Sequence, residues 1–224
     1  MWILYYKYAG DDINAGLISA WLAQLPSDKR LRLQRRQHSD KQQLSLIGWQ
    51  LLRYGMRQAG HTTFALQQIE FPEHGKPRIP DDWDFNISHS GNLVACALSR
   101  QGRIGIDVER HRDIEPQRFK RYFSTAELAW MGHDAGRFID LWTRKEAVIK
   151  ASGIGLRGLG KVVTQQNMSA HDGQGDWFLH KLELESGYSA HVATDIASAR
   201  IQQLQQVDLL QLSDNELALF RLNS

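Results

Sequence analysis

Residues 84–109 read DFNISHSGNLVACALSRQGRIGIDVE, and this stretch decides the fold class. Residues 84–88 and 93–99 have the β-branched and apolar character of strands, joined by a short loop at His89-Ser90-Gly91-Asn92. Gln101-Gly102 is tight-turn chemistry leading into a third strand over 103–109. Working outward, an aromatic-rich strand over 2–8 comes first, then three helical stretches. Asn14 caps the first, which ends near Leu25-Pro26. Ser27 or Asp28 caps the second, whose basic face holds Lys29, Arg30, Arg32, Arg35 and Arg36. The third, over about 41–58, carries Leu44, Ile47, Leu51 and Leu52 at helical spacing and stops at Gly60. Residues 66–71 alternate like a strand, and Gly75-Lys76-Pro77 and Pro80-Asp81-Asp82 are turns. On the other side, helices are expected over about 115–122, 124–131 and 135–152. Ser124 and Glu127 fit a capping box and Gly153 ends the last helix. Strands over 176–185, 188–194 and 200–210 follow, with a short helix from Ser213. Helices and strands come in blocks, which points to an α+β fold rather than a doubly wound parallel sheet.

Composition bounds the function. Of 224 residues, 42% are hydrophobic and 23% charged, ordinary globular usage that argues against a disordered chain. The single Cys96 has no intrachain disulfide partner, so a reducing, cytoplasmic compartment is expected, with Cys96 itself a small hydrophobe on a core strand. No run approaches the roughly 18 apolar residues of a membrane span. The apolar start lacks a basic flank and reads as a strand rather than a signal peptide. Twenty-seven Lys and Arg against 25 Asp and Glu give a net charge of +2, which by itself indicates neither nucleic acid nor membrane. A nucleic-acid binder using the basic stretches at 29–41 and 110–121 is the rival from another class. No recognised module supports it.

Four segments carry chemistry. In Ile104-Gly105-Ile106-Asp107-Val108-Glu109, strand alternation puts Asp107 and Glu109 on one face. Alone, such a pair reads as a solvated strand end. In Trp142-Thr143-Arg144-Lys145-Glu146-Ala147-Val148-Ile149-Lys150, Glu146 and Lys150 share one helical stripe, alone an ordinary ion pair. Phe85-Asn86-Ile87-Ser88-His89-Ser90-Gly91 ends a strand in small hydroxyl residues suited to a phosphate, and Gly75-Lys76-Pro77 sets a cation on a tight loop. Together they hold three carboxylates, several cations and no zinc-type spacing. Hard oxygen ligands suit Mg²⁺ or Mn²⁺, and cations suit phosphates, so the conjunction suggests a metal–pyrophosphate site.

These four segments, in this order and spacing, resemble the 4'-phosphopantetheinyl transferases of the Sfp type, well over residues 70–156, more loosely over 26–60 and faintly after 160. The resemblance implies a pseudo-dimer of two similar α+β halves, 1–101 and 102–224, with the active site in the cleft between them. It implies transfer of the phosphopantetheine arm of coenzyme A to a serine of an acyl or peptidyl carrier protein, with release of adenosine 3',5'-bisphosphate. Carried over by position, Asp107, Glu109 and Glu146 hold Mg²⁺, with Mn²⁺ an alternative. Glu146, or a water on the metal beside it, takes the serine proton, and Lys150 neutralises phosphate charge. Ser88 and His89 contact the phosphates of coenzyme A, and Lys76 its 3'-phosphate. Lys29 and Arg32 approach the same group, and Pro77 and Lys145 are further coenzyme-binding positions.

The chain departs from the family where arginines commonly flank the glycine of the third helix. Here Gln42-Gln43-Leu44-Ser45-Leu46-Ile47-Gly48-Trp49 has none, and Arg53 lies a turn further on. Weaker or rearranged binding of the 3'-phosphate is expected. Arg110, Arg112, Arg118, Lys120 and Arg121, interleaved with Phe119, Tyr122 and Phe123, form the expected dock for an acidic carrier protein. The protein is expected to act as a monomer. A non-catalytic relative of the fold is the other alternative, against which the complete acidic trio and Lys150 speak. The segment 153–160 follows a helix instead of opening one, so it is no dinucleotide fingerprint. It reads as a helix stop and a mobile loop.

Overall fold

The computed structural model describes residues 1–10, 13–35, 39–73, 75–79, 81–165 and 167–210; Arg36, Pro80 and the helix expected from Ser213 lie outside them. The elements in chain order are β1 (Trp2–Lys7), α1 (Ala15–Ala23), α2 (Ser27–Gln34), α3 (Asp40–Gln58), β2 (Asp84–Ser90), β3 (Leu93–Ser99), β4 (Ile104–Arg110), α4 (Thr125–Met131), α5 (Ala135–Ser152), β5 (Val163–Thr164), β6 (Ser169–His171), β7 (Asp176–Leu182), β8 (Tyr188–Thr194) and β9 (Gln203–Gln206). Helices α1, α3, α4 and α5 start where short polar side chains satisfy orphan N–H groups. Asn14 accepts from Leu17 N, Ser39 from Gln42 N, Ser124 from Glu127 N and Asp134 from Arg137 N. Glu127 returns the bond to Ser124 N, completing the capping box. Gly153 ends α5 at φ 76°, a conformation only glycine adopts without strain.

The strands form two sheets, β2-β3-β1-β9 and β4-β8-β7-β6-β5. This is the expected α+β class in two halves. β1 runs antiparallel to β3 and parallel to β9. The first sheet therefore takes its fourth strand from near the end of the described chain, and the sheets do not follow a single cut at residue 101. The long helix α3 packs on the first sheet so closely that a Cβ on Gly48 would lie 2.5 Å from Ile87, and one on Gly55 2.2 Å from Leu98. β3 is buried on both faces. Val94, Cys96 and Leu98 join the α3 core, while Leu93, Ala95 and Ala97 join an apolar layer with Ile104, Ile106, Val108 and Val192 of the second sheet. Burial pushes the Cys96 thiol well up, as expected of an inert core thiol.

Several local expectations are corrected. Pro26, not Ser27 or Asp28, occupies the cap position of α2, because its fixed φ sets up the helix one residue earlier. Residues 66–71 do not form a strand. Leu66–Gln68 is a 3-10 turn closed by the Gln68 side chain on Ala65 N, followed by one bridge between Glu70 and Arg78. The helix expected over 115–122 is a 3-10 segment, Pro116–Tyr122, and the loop expected over 153–160 contains another, Leu156–Lys161. Of the expected strand over 200–210, Gln203–Gln206 is strand, with Gln202 N and Val207 N bonding the Met1 and Tyr5 carbonyls beside it. His89 and Ser90 belong to β2 rather than to a loop, so the turn is Gly91-Asn92 alone. β5 and β6 are too short to leave a periodic signal.

Candidate active site

β4 positions the acidic pair. Its even residues Ile104, Ile106 and Val108 face the apolar layer, which turns Gly105, Asp107 and Glu109 toward α5. At Gly105 the helix backbone comes so near that a Cβ would lie 2.1 Å from the Ala147 carbonyl oxygen and 2.4 Å from Ala151 N. This close approach brings the stripe of Glu146 and Lys150 over the carboxylates. Lys150 Nζ donates to Asp107 Oδ1 at 2.6 Å and to Ser88 Oγ at 2.9 Å. Ser88 donates to the same Oδ1 at 2.9 Å, leaving Asp107 Oδ2 buried and without a hydrogen-bond partner among the described residues. Glu109 Oε2 receives Ser90 Oγ at 2.7 Å and Arg112 Nη1 at 2.8 Å.

The electrostatics couple the three carboxylates. Burial raises the Asp107 carboxyl, with Lys150 opposing and Glu109 adding to the rise. Burial, then the charge of Asp107, push Glu146 up to about 7; Lys150 again opposes and Glu109 adds to the rise. Among the described residues no set of three His, Cys, Asp or Glu side chains forms a ready-made metal cage. The donors nevertheless fit a hard dication that uses few protein ligands. The three carboxylates repel one another, and one of them keeps a buried oxygen with no hydrogen donor among the described residues.

The structure does not bring all the expected coenzyme residues to this place. Lys29 is half-buried, with Nζ 5.1 Å from the centroid of Trp49 and 5.6 Å from that of Phe71, and Arg32 is exposed on the same helix. His89 is exposed and, by alternation, shares the α3 face of β2 with Ile87. Pro77 is partly exposed on its turn. Ser88 is buried, and its hydroxyl is fully engaged, accepting from Val108 N and Lys150 and donating to Asp107.

Two expected coenzyme ligands are turned inward. Lys76 bonds Asp84 Oδ2 and the Ile104 carbonyl and so joins the two halves. Lys145 is fully buried. It pairs with Glu127 Oε2 at 2.9 Å and donates to the Val162 carbonyl. Arg53 is buried too, with Nη1 2.7 Å from Gln24 Oε1, and burial followed by Arg57 lowers it to about 10. Of the basic segment, Phe119 and Phe123 pack on Phe138, while Arg110, Arg112, Arg118, Lys120 and Arg121 are exposed. The sequence reading missed the donors on Glu109. Ser90 stood in the quoted motif, but nothing local revealed that it faces another strand.

Comparison with known proteins agrees over both halves. The family model of the 4'-phosphopantetheinyl transferase superfamily matches residues 103–204, and a 4'-phosphopantetheinyl transferase N-terminal model matches 15–101. A 4'-phosphopantetheinyl transferase of Bacillus subtilis is 34% identical over 166 residues, covering 68% of this chain and 71% of the relative. The 4'-phosphopantetheinyl transferase Sfp of Bacillus subtilis strain 168 is 35% identical over 136 residues, 58% of this chain and 60% of Sfp. AcpT of Escherichia coli K12, also named a 4'-phosphopantetheinyl transferase, is 37% identical over 103 residues, 42% of this chain and 52% of AcpT. No helix among the described residues is long and apolar enough to cross a membrane.

Proposed function

The chain belongs to the 4'-phosphopantetheinyl transferase superfamily, and from that premise we propose that it moves the phosphopantetheine arm of coenzyme A onto a serine of an apo carrier protein, using Mg²⁺. The observation that carries this reading is the meeting of β4 and α5, which sets Asp107, Glu109, Glu146 and Lys150 around one spot. Asp107, Glu109 and Glu146 would hold the dication, with Mn²⁺ serving in its place. When bound, the ion draws off charge from the pyrophosphate, so that an approaching hydroxyl is less repelled.

The residues divide the remaining work. Glu146 accepts the proton of the carrier serine as its oxygen attacks the phosphorus nearer the pantetheine. The bond from that phosphorus to the bridging oxygen breaks, and adenosine 3',5'-bisphosphate leaves with the electron pair. Lys150 neutralises the charge that grows on the phosphates, and Ser88 orients Lys150 and Asp107. Lys29, Arg32 and His89, on the α2 and α3 side, receive the phosphates of the nucleotide end, and Pro77 lines that end. Lys76 and Lys145 are left out of this assignment, because both are spent on internal carboxylates and carbonyls. An acidic carrier docks on the exposed cations of residues 110–121, which follow directly on β4.

The test is the intact mass of an apo carrier protein after incubation with enzyme, coenzyme A and Mg²⁺. A gain equal to one phosphopantetheine is expected, and EDTA or Asp107→Ala should each abolish it. No gain with fatty-acid, polyketide or peptide-synthetase carriers would overturn the proposal.

A further inference from the structure

The open edge of β4 is closed by side chains rather than by another strand. Asp84 Oδ2 accepts from Ile104 N at 2.7 Å, Asn86 Oδ1 from Ile106 N at 3.0 Å, Ser88 Oγ from Val108 N at 3.3 Å and Ser90 Oγ from Arg110 N at 3.1 Å. Every second residue of β2 thus bonds every second N–H of β4, and four rungs join the two sheets. The last two rungs do something that Asn86 does not. Ser88 bonds the N–H of residue 108 and donates to the carboxylate of 107. Ser90 bonds the N–H of residue 110 and donates to the carboxylate of 109. A hydroxyl has one proton to donate. Once the backbone N–H fixes the oxygen, that proton goes to the carboxylate one residue back. In each case one carboxylate oxygen collects the donors, Oδ1 of Asp107 and Oε2 of Glu109.

We infer that Ser88 and Ser90 form a paired clamp that presents the second oxygen of Asp107 and of Glu109 to a divalent cation, which makes Ser90 a positioning residue for Glu109. The inference rests on the metal reading above and adds a residue that acts on the ion only through a carboxylate. The clamp also makes β2, which carries His89 on its other face, part of the same rigid unit as the acidic strand. Neighbours of a ligating carboxylate commonly tune metal affinity by an order of magnitude or more.

The experiment is a titration of MnCl₂ into protein with saturating coenzyme A, free Mn²⁺ being read by electron paramagnetic resonance. Ser90→Ala should weaken Mn²⁺ about tenfold, and Ser90→Thr, which keeps the hydroxyl, should restore most of the loss. Asn86→Ala removes a rung of the same kind without a carboxylate, so it should lower Tm yet leave Mn²⁺ affinity within about twofold. Should Ser90→Ala fail to fold, Ser90→Cys puts a weak donor in the same volume and should shift affinity in the same direction. Unchanged Mn²⁺ affinity in the folded Ser90 variants, or an equal loss in Asn86→Ala, overturns the inference while leaving the metal reading intact. A wild-type protein that takes up no Mn²⁺ beyond that bound by coenzyme A alone overturns the metal reading and the clamp with it.

Discussion

Lys150 Nζ lies 2.6 Å from Asp107 Oδ1, so one ammonium ties α5 to the buried carboxylate of β4. Removing a partner from a buried pair leaves an uncompensated charge and is strongly destabilising. The lysine keeps 27% of its side-chain exposure, which softens the loss. Lys150→Ala should lower stability by about 2 kcal/mol in urea unfolding. Saturating Mg²⁺ should recover part of that stability, since a dication offers Asp107 another positive partner. Transfer to a carrier should stay depressed on the order of 10²-fold, because stabilisation of the phosphate charge is not regained. Recovery of rate along with stability would remove Lys150 from the chemistry.

Lys145 is expected to behave in the opposite way. Burial alone would raise the Glu127 carboxyl. The Thr164 and Ser124 backbone N–H groups and Lys145 outweigh burial and hold it below the usual carboxylate range. This cluster fastens α4 to α5 and to β5. Lys145→Met should cost about 3 kcal/mol or more of unfolding free energy, as for other broken buried pairs. The KM for coenzyme A in the folded fraction should not change. A raised KM with unchanged stability would return Lys145 to the coenzyme site.

The contrast between these two lysines explains what the sequence could reveal. Both stand in the same nine-residue motif, five positions apart, and both are charged. Helical spacing told that Glu146 and Lys150 share a stripe, and strand alternation told that Asp107 and Glu109 share a face. Both relations are local periodicities, and the structure keeps them. Which face of α5 meets which strand is a tertiary fact, so the motif did not show that Lys145 points into the core. The internal partners of Lys76 were hidden for the same reason, because its partner carbonyl at Ile104 is 28 residues away. The polar alternation of Asp84, Asn86, Ser88 and Ser90 was visible in residues 84–109, but the strand edge it closes lies 20 residues further on.

Gly105 is where the site is most exposed to a small change. A methyl group there meets helix backbone rather than a flexible side chain, so α5 must move. Gly105→Ala should destabilise the fold by about 1–3 kcal/mol or more. It should also reduce transfer disproportionately, since Glu146 and Lys150 ride on the displaced helix. Gly55→Ala meets the methyl ends of the Leu98 and Leu4 side chains rather than backbone. It should reduce stability alone. Equal effects on transfer, measured at matched folded fraction, would disprove the coupling between helix approach and chemistry.

His191 sets a pH dependence of stability. It is fully buried, with Nδ1 2.8 Å from Thr143 Oγ1. Burial, then Arg144 and Lys181, push its imidazole down to about 3, despite Asp140 Oδ1 lying 3.6 Å from Nε2. An unfolded histidine takes up its proton near 6.5. Between about 6.5 and about 3 the unfolded chain therefore binds a proton that the fold does not, and stability drops as pH falls, by about 1.4 kcal/mol per unit. Glu146 and Asp107 work the other way. Their raised carboxyls are protonated in the fold at a pH where the unfolded chain has lost the proton, so they add stability as pH falls below about 7. The test is accordingly the difference between wild type and His191→Gln, which share those carboxyls. The difference should shrink steadily from pH 6.5 to pH 5, and a difference independent of pH would refute the assignment.

The proposed carrier dock has to be tested away from the carboxylates. Arg112 is exposed, but its guanidinium holds Glu109 at 2.8 Å, so reversing it would disturb the proposed metal ligand and the surface together. Arg118 pairs with exposed Glu115, with side-chain exposures of 77% and 62%, and Lys120 is exposed on the same 3-10 segment. Phe119 between them is anchored on Phe138 and Trp142, which keeps the segment in place when its charges change. Arg118→Glu with Lys120→Glu should therefore raise the KM for an acidic carrier severalfold, more so at low salt, where exposed charges reach further. The KM for coenzyme A should stay put, and Mn²⁺ affinity should not move. A carrier KM that is unchanged at low ionic strength would exclude this face as the dock.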